Sequence, residues 1–247
     1  MEGIKQAIEY IAGLAVKAEK PEVVKFGDKT YCTKDLKRYD RPDKAEPIKA
    51  TTLTALVDYI SENSHELRDH MIIQVVSPTE VRLFSGLLAE RDRETLFEVH
   101  ALLPHFEYGR EYGQEQFLVA MQSCFADSPD REPVTTVASN IVNTQQATYS
   151  DDGITQQAVI KTGITTKEAA LVPNPVHLIP YRTFLEVEQP ASDFVFRISE
   201  SRDGLPTFKL VEADGGRWKS EAMQNVKHYL MEALDDLPVT PQLTIIA

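Results

Sequence analysis

The sequence lacks most of the features that mark secreted and membrane-spanning proteins. Only two cysteines occur in 247 residues, Cys32 and Cys124, and they are too far apart to form a CxxC pair. No Asn-x-Ser/Thr glycosylation acceptor is present. The apolar residues of the first twenty positions are spaced rather than continuous, so neither a signal peptide nor a membrane span is expected there. Together these absences predict a soluble chain in a reducing cytoplasm.

The common catalytic and nucleotide-binding motifs are also absent. No GxxxxGKS/T or GxGxxG phosphate loop, no GxSxG nucleophile elbow and no HExxH zinc helix occurs. Gly215 and Gly216 are the nearest approach to a phosphate loop, but Glu212 and Asp214 beside them would repel a phosphate. We therefore predict that the protein is not an enzyme, with no catalytic, cofactor-binding or metal-binding residues.

Basic charge is in deficit and is unevenly distributed. The chain has 38 acidic and 26 basic side chains, a net charge of −12, which argues against a general attraction to nucleic acid or anionic lipid. Residues 1–50 hold 11 basic and 9 acidic groups, so the remainder holds 15 and 29. The acidic character therefore belongs to the main body. The first fifty residues include a basic and aromatic stretch, from Lys25 to Lys44, that could contact nucleic acid. Acidic residues interleave with the basic ones, so a solvated surface segment is the favoured interpretation.

The hydrophobic pattern predicts two parts, residues 1–50 and residues 51–247. The first part opens with an amphipathic helix over residues 3–18, whose apolar stripe needs a partner. A tight hairpin at Gly27-Asp28 follows, and residues 34–50 are charged and proline-containing, which is typical of an exposed linker.

The main body is predicted to be α+β, with mainly antiparallel sheets, flanking helices and a C-terminal amphipathic helix. The predicted helices are residues 52–67, 114–125, 129–142 and 218–234. The predicted strands are a meander of 71–76, 80–84 and 95–101, a hairpin of 146–149 with 155–164, and a hairpin of 193–199 with 206–211. Strand 71–76, almost wholly apolar, is expected to be covered on both faces.

Four stretches of the main body stand out by their combination and order. They are Leu103–Gly109 (LPHFEYG), Ala147–Ile154 (ATYSDDGI), Pro180–Pro190 (PYRTFLEVEQP) with Phe194–Arg197 (FVFR), and Glu212–Lys219 (EADGGRWK). Over roughly residues 95–247 they resemble an uncharacterised family of tailed bacteriophages and prophages that includes the YfdQ protein. The resemblance implies a phage origin, and it carries no set of catalytic residues.

Within these stretches, six residues concentrate polar and aromatic groups near predicted turns, where binding sites usually lie. These candidate binding or interface residues are Tyr181, Arg182, Glu188, Asp214, Arg217 and Trp218. The alternative is that they serve only turns and packing. Trp218 is also expected to anchor the last helix by burial in the core.

The leading functional prediction is a non-enzymatic, self-associating phage accessory protein that acts in the host cytoplasm. The alternative is a nucleic-acid-binding factor for phage replication or recombination, with residues 1–50 as its contact arm. A third class is an enzyme or ligand-binding protein built around Tyr181, Arg182 and Glu188.

The apolar tail, residues 239–247, is separated from the last helix by Pro238. We expect it to form an edge strand, either on its own sheet or on that of a second copy in a homo-oligomer.

Overall fold

The structure is a computed structural model, and it divides the chain into two compact units, Met1–Lys44 and Ala45–Ala247. It describes residues 2–19, 21–27, 29–34, 44–89, 91–141, 156–162, 166–172, 174–235 and 242–247.

The first unit consists of one helix and one hairpin. Helix α1 spans Glu2–Glu19, and strands β1 (Val23–Phe26) and β2 (Lys29–Cys32) pair antiparallel, as the sequence predicts. The turn begins at Gly27 with φ of 61°, a left-handed conformation that glycine adopts without strain. Every side chain described in this unit is exposed. The unit therefore contains no hydrophobic core among its described residues.

The second unit contains all the remaining elements and is α+β, as predicted. In chain order they are β3 (Ile48–Ala50), α2 (Leu53–Glu62), β4 (His70–Ser77), β5 (Glu80–Ser85), β6 (Thr95–His100), β7 (Tyr112–Gly113), α3 (Gln114–Ser123), α4 (Arg131–Asn140), β8 (Gln156–Thr162), β9 (Thr166–Val172), β10 (Val176–Leu178), β11 (Ser192–Glu200), β12 (Pro206–Glu212), α5 (Trp218–Asp235) and β13 (Gln242–Ile246). Because β3 belongs to this unit, the linker predicted over 34–50 ends before Ile48.

The first of the two sheets that have more than two strands has the order β13-β4-β5-β6-β3. Its centre is the predicted antiparallel meander, but both edge strands pair in parallel, so the sheet is mixed. Helices α2 and α5 pack on one face and bury alternate residues of β4: Met71, Ile73 and Val75. Ile72 and Gln74 on the other face are half-buried. The prediction that this strand is covered on both faces was therefore wrong, because the described helices cover only one face.

The second sheet has the order β10-β11-β12-β7 and packs against α3 and α4. Its core is aromatic: the Phe117 ring stacks on Phe196 at 5.6 Å and on Phe208 at 5.2 Å between centroids. The period-two pattern of β11 predicts this face, since Phe194, Phe196 and Ile198 are all buried there.

Helices α3 and α4 are each shorter by two to four residues than predicted, and two other predicted elements differ more from the structure. Strand β8 pairs with β9, which the sequence interpretation missed, and the expected partner at 146–149 lies outside the described residues. Helix α2 ends at Glu62 instead of 67, and a 3-10 turn, Ser64–Glu66, follows it. Asn63 ends the helix because its backbone, at φ of −114° and ψ of 37°, leaves the helical conformation.

Strand β13 pairs with β4 of its own sheet, the first of the two outcomes expected for the tail. Leu243 and Ile245 pack against the core of that sheet. Among the described helices, none is both long enough and apolar enough to cross a membrane.

We predict that Phe117→Ala lowers the free energy of unfolding by about 3–5 kcal/mol, because it empties the space between two stacked rings. Val119→Ala on the same helix is the control: its side chain is 59% exposed, and the change should stay within about 0.5 kcal/mol. Urea denaturation measures both values. Equal effects of the two substitutions would contradict the aromatic core.

Candidate functional site

Three of the six predicted site residues, Arg182, Asp214 and Trp218, belong to one group of side chains around the buried guanidinium of Arg182. Its guanidinium donates from Nη1 to Glu212 Oε1 at 2.7 Å and from Nη2 to the Ser192 hydroxyl. Ser192 in turn donates to Asp214 Oδ2 at 2.6 Å. Trp218 covers the guanidinium, with 4.0 Å from Arg182 Cζ to the ring centroid. We call this group, with the nearby rings of Tyr108 and Phe194, the arginine cluster.

Different elements supply the members of the arginine cluster. Ser192 and Phe194 lie at the start of β11, and Glu212 is the last residue of β12. Asp214 accepts the Gly216 amide at 2.9 Å in the turn that leads to Trp218, the first residue of α5. The cluster therefore fixes the end of the β11–β12 hairpin and the start of the last helix.

Burial sets the electrostatics of the cluster. The Arg182 side chain is only 6% exposed, and this burial lowers its pKa, while Tyr108 and the carboxylates of Glu212 and Asp214 act in the opposite direction. Burial by itself would raise the pKa of Asp214. The hydrogen bonds from Ser192 and the Gly216 amide, together with the Arg182 charge, outweigh it and hold that pKa below its usual range.

The chemistry available to the cluster is electrostatic. An arginine remains protonated in proteins, so Arg182 can neutralise carboxylates and stack on rings but cannot act as a proton donor or acceptor at neutral pH. Arg182 Nε and Trp218 Nε1 are buried and have no hydrogen-bond partner in the described part of the chain. The hydrogen bonds of the cluster join Arg182 to strands β11 and β12.

The other three predicted residues are not among the side chains that form the cluster. The Tyr181 amide bonds to the Cys124 carbonyl at 2.9 Å, and the Glu188 and Arg217 side chains are exposed. Trp218 is half-buried against Arg182 and is not part of the core face of α5, which consists of Ala222, Val226, Leu230 and Leu234. Its predicted burial in the core was therefore wrong, because it begins the helix beside a charge.

The sequence interpretation missed Tyr108, Ser192, Phe194 and Glu212 as cluster members. Tyr108, Phe194 and Glu212 nevertheless lie inside three of the four stretches that stand out in the sequence. Three of these stretches meet at Arg182, and their joint prominence in the sequence was the signal that could have identified the missed members. The remaining stretch, Ala147–Ile154, lies outside the described residues.

A network of hydrogen bonds from Gln189 shapes the chain between Pro180 and Pro190. Its Oε1 accepts the Arg182 and Thr183 amides at 2.9 and 3.2 Å. Its Nε2 donates to the carbonyls of Thr183, Phe184 and Val187. Phe184 and Val187 are thereby placed in the core beneath the first sheet.

Glu186 and Glu188 flank a pocket of about 420 Å³ between this segment and α5. Glu186 accepts the Leu53 amide at 2.7 Å, so it caps the start of α2. His228 Nε2 lies 3.2 Å from Glu232 Oε1 on the helix side. Among the residues described, no three His, Cys, Asp or Glu side chains are grouped so as to hold a metal ion.

A second candidate surface is the exposed apolar stripe of α1. Ile4, Ile8 and Ile11 are 69%, 62% and 64% exposed, and Leu14 is 49% exposed. Their spacing of three and four residues places them on one face of the helix. Polar side chains such as Lys5 and Glu9, whose charged atoms are 4.0 Å apart, lie off the stripe.

No protein-family model, curated protein or solved structure matches this chain.

We predict that Arg182→Ala lowers the free energy of unfolding by about 1.5–3 kcal/mol, because it removes a buried side chain and its charge-assisted hydrogen bond to Glu212, which stays partly exposed to solvent. Arg217→Ala is the matched control, since Arg217 is exposed, and its effect should be within about 0.5 kcal/mol. Chemical denaturation followed by circular dichroism gives both values. If Arg182→Ala were as mild as the control, the cluster would not stabilise the fold.

Asp214 should make the stability fall in acid. Its pKa is lowered in the folded state, so its contribution is complete above the unfolded value of about 3.9 and is lost as the pH falls through the folded value. Asp214→Asn should lower stability at pH 7 and flatten the decline below pH 4. Urea midpoints from pH 7 to 3 test this, with the exposed Asp203→Asn as the control. An unchanged acid slope would contradict the assignment.

Proposed function

We propose that the protein is a non-catalytic, self-associating accessory protein, and that α1 is its association element. The observation that carries this proposal is the row of exposed large aliphatic side chains on α1: Ile4, Ile8, Ile11 and Leu14. Most of the stability of a helix in a protein comes from the packing of its apolar face. A partner that covers the stripe would stabilise it.

The width of the stripe favours a helix bundle. Ile4 and Ile11 occupy the same heptad position, Ala7 and Leu14 a second, and Ile8 and Ala15 a third. Two apolar positions per heptad are typical of a coiled-coil seam, whereas three are typical of a helix that faces the core of a bundle. Copies of α1 could supply the other helices of such a bundle.

The charge of α1 supports a second copy as its partner in preference to a membrane. The helix carries Lys5 and Lys17 against Glu2, Glu9 and Glu19, so it is close to neutral. Amphipathic helices that lie on membranes are usually rich in Lys and Arg on the polar face. A nearly neutral helix also brings copies together without the repulsion that the acidic main body would cause.

The apolar stripe of α1 is large enough to support association. Burying one large aliphatic side chain contributes roughly 1.5–3 kcal/mol, so four partly exposed ones on each of two helices supply on the order of 10 kcal/mol. Association costs about 4–15 kcal/mol in lost freedom. The stripe therefore supports a reversible contact that further copies or a second surface would strengthen.

We further propose that the protein is encoded by a bacteriophage or prophage and acts in the cytoplasm of the host cell. The resemblance of the four stretches to a phage and prophage family is the support for that setting.

One observation in the first unit, the exposed aromatic rings of its hairpin, supports the alternative function, nucleic-acid binding. Phe26 is 80% exposed and Tyr31 is 54% exposed, and the strand register places both on one face with Lys29. Exposed rings beside lysines can stack on unpaired bases. A single-stranded DNA gel shift across a salt series, with Phe26→Ala as the comparison, would reveal this activity.

The self-association of α1 can be tested by the mass of the full-length protein in solution. Ile11→Glu should reduce the mass measured by light scattering, because it places a charge on the stripe. Gln6→Glu adds the same charge to the same helix away from the stripe and should leave the mass unchanged. A monomeric wild-type protein, or an Ile11→Glu variant that keeps its oligomeric mass, would reject the proposal.

A further inference from the structure

We propose that strand β13 is a second self-association surface, which pairs antiparallel with β13 of a second copy and joins two five-stranded sheets into one. This inference rests on the proposed self-association for its biological sense, but it concerns a different element, and its contacts can be tested separately.

The other edges of the two larger sheets carry features that block pairing. Strand β3 has three residues, includes Lys49 and follows Pro47. Strands β10 and β7, at the edges of the second sheet, have three and two residues. Short edge strands, lysines and prolines are the usual means by which proteins prevent edge-to-edge pairing.

Strand β13 is longer and contains no lysine, and the proline before it, Pro241, lies outside the strand as Pro47 does in β3. It is five residues long, and its sequence, QLTII, contains neither a charge nor a proline and ends in two β-branched residues. Among the described residues, no strand lies on its outer side. Ile246 is 44% exposed at its end.

The register of β13 shows which backbone groups are available. Gln242 lies opposite His70, and its amide donates to the Asp69 carbonyl at 2.7 Å. In a parallel ladder, alternate residues direct their N–H and C=O groups to the same neighbour. Gln242, Thr244 and Ile246 therefore bond to β4. The N–H and C=O groups of Leu243 and Ile245 point outward to the open edge.

A second copy is the partner that fits this edge best. A two-fold contact pairs β13 with itself, so any charge on the strand would face its own copy. The strand is uncharged, although the chain as a whole has a net charge of −12. A pair of five-residue strands is small beside the roughly 1,000 Å² expected of a stable interface, so the contact needs a second surface such as α1 to strengthen it.

Lysines on the exposed face of β13 test the inference. In the full-length protein, Thr244→Lys/Ile246→Lys should lower the oligomeric mass, because paired strands would bring like charges together. Val76→Lys/His100→Lys places the same two charges at exposed positions of β4 and β6, so this control should keep the mass. These substitutions leave Leu243 and Ile245, the core contacts of β13, in place.

Amide hydrogen exchange gives the second readout. In the wild-type protein, the Leu243 and Ile245 amides should exchange more slowly as the protein concentration rises, and this dependence should vanish in the double-lysine variant of β13. Exchange of these amides that is fast at every concentration, or a mass that the variant does not change, would overturn the inference. If Ile11→Glu lowers the mass while the β13 variant does not, the α1 proposal stands and the β13 proposal falls. If the β13 variant lowers the mass while Ile11→Glu does not, the α1 proposal falls and the β13 proposal stands.

Discussion

The folded main body depends on how the segment between Pro180 and Ser192 connects two hydrophobic cores. Phe184 and Val187 enter the core beneath the first sheet, whereas Phe194, just beyond the segment, belongs to the core beneath the second. The Tyr181 amide donates to the Cys124 carbonyl, and the Thr183 hydroxyl donates to the Pro78 carbonyl at 2.5 Å, so the segment is held on both sides. It contains no regular element, so its shape rests on side-chain hydrogen bonds, chiefly those of Gln189.

Arg182 lies within this segment and carries its one buried charge. Removing a guanidinium from water is costly, and the energy is recovered only where carboxylates and further hydrogen bonds surround it. Glu212, Asp214 and the Ser192 hydroxyl meet that requirement, and the Trp218 ring adds a cation–π contact. Because these partners come from β11, β12 and the start of α5, the cation specifies how the hairpin end, the segment and the last helix fit together.

Regular elements were predictable from local periodicity, as the alternation of Phe194, Phe196 and Ile198 in β11 and the apolar face of α5 illustrate. What the sequence could not provide was long-range pairing. The parallel edge strand β13 and the cap that Glu186 gives to α2 join residues far apart in the chain. For the same reason, the sequence could not show which of the six candidate residues come together. Arg182, Asp214 and Trp218 come together through tertiary packing, whereas Glu188 and Arg217, equally prominent as sequence letters, are exposed.

The most direct test of this account is the unfolding of Gln189→Glu, followed by Trp218 fluorescence and by circular dichroism. Trp218 is the only tryptophan and reports on the arginine cluster, while circular dichroism reports on the helices of both cores. The substitution preserves the size of the side chain but places a carboxylate against the carbonyls that now accept from Nε2. The account predicts a lower urea midpoint by both probes. A midpoint equal to that of the wild-type protein by both probes would contradict it.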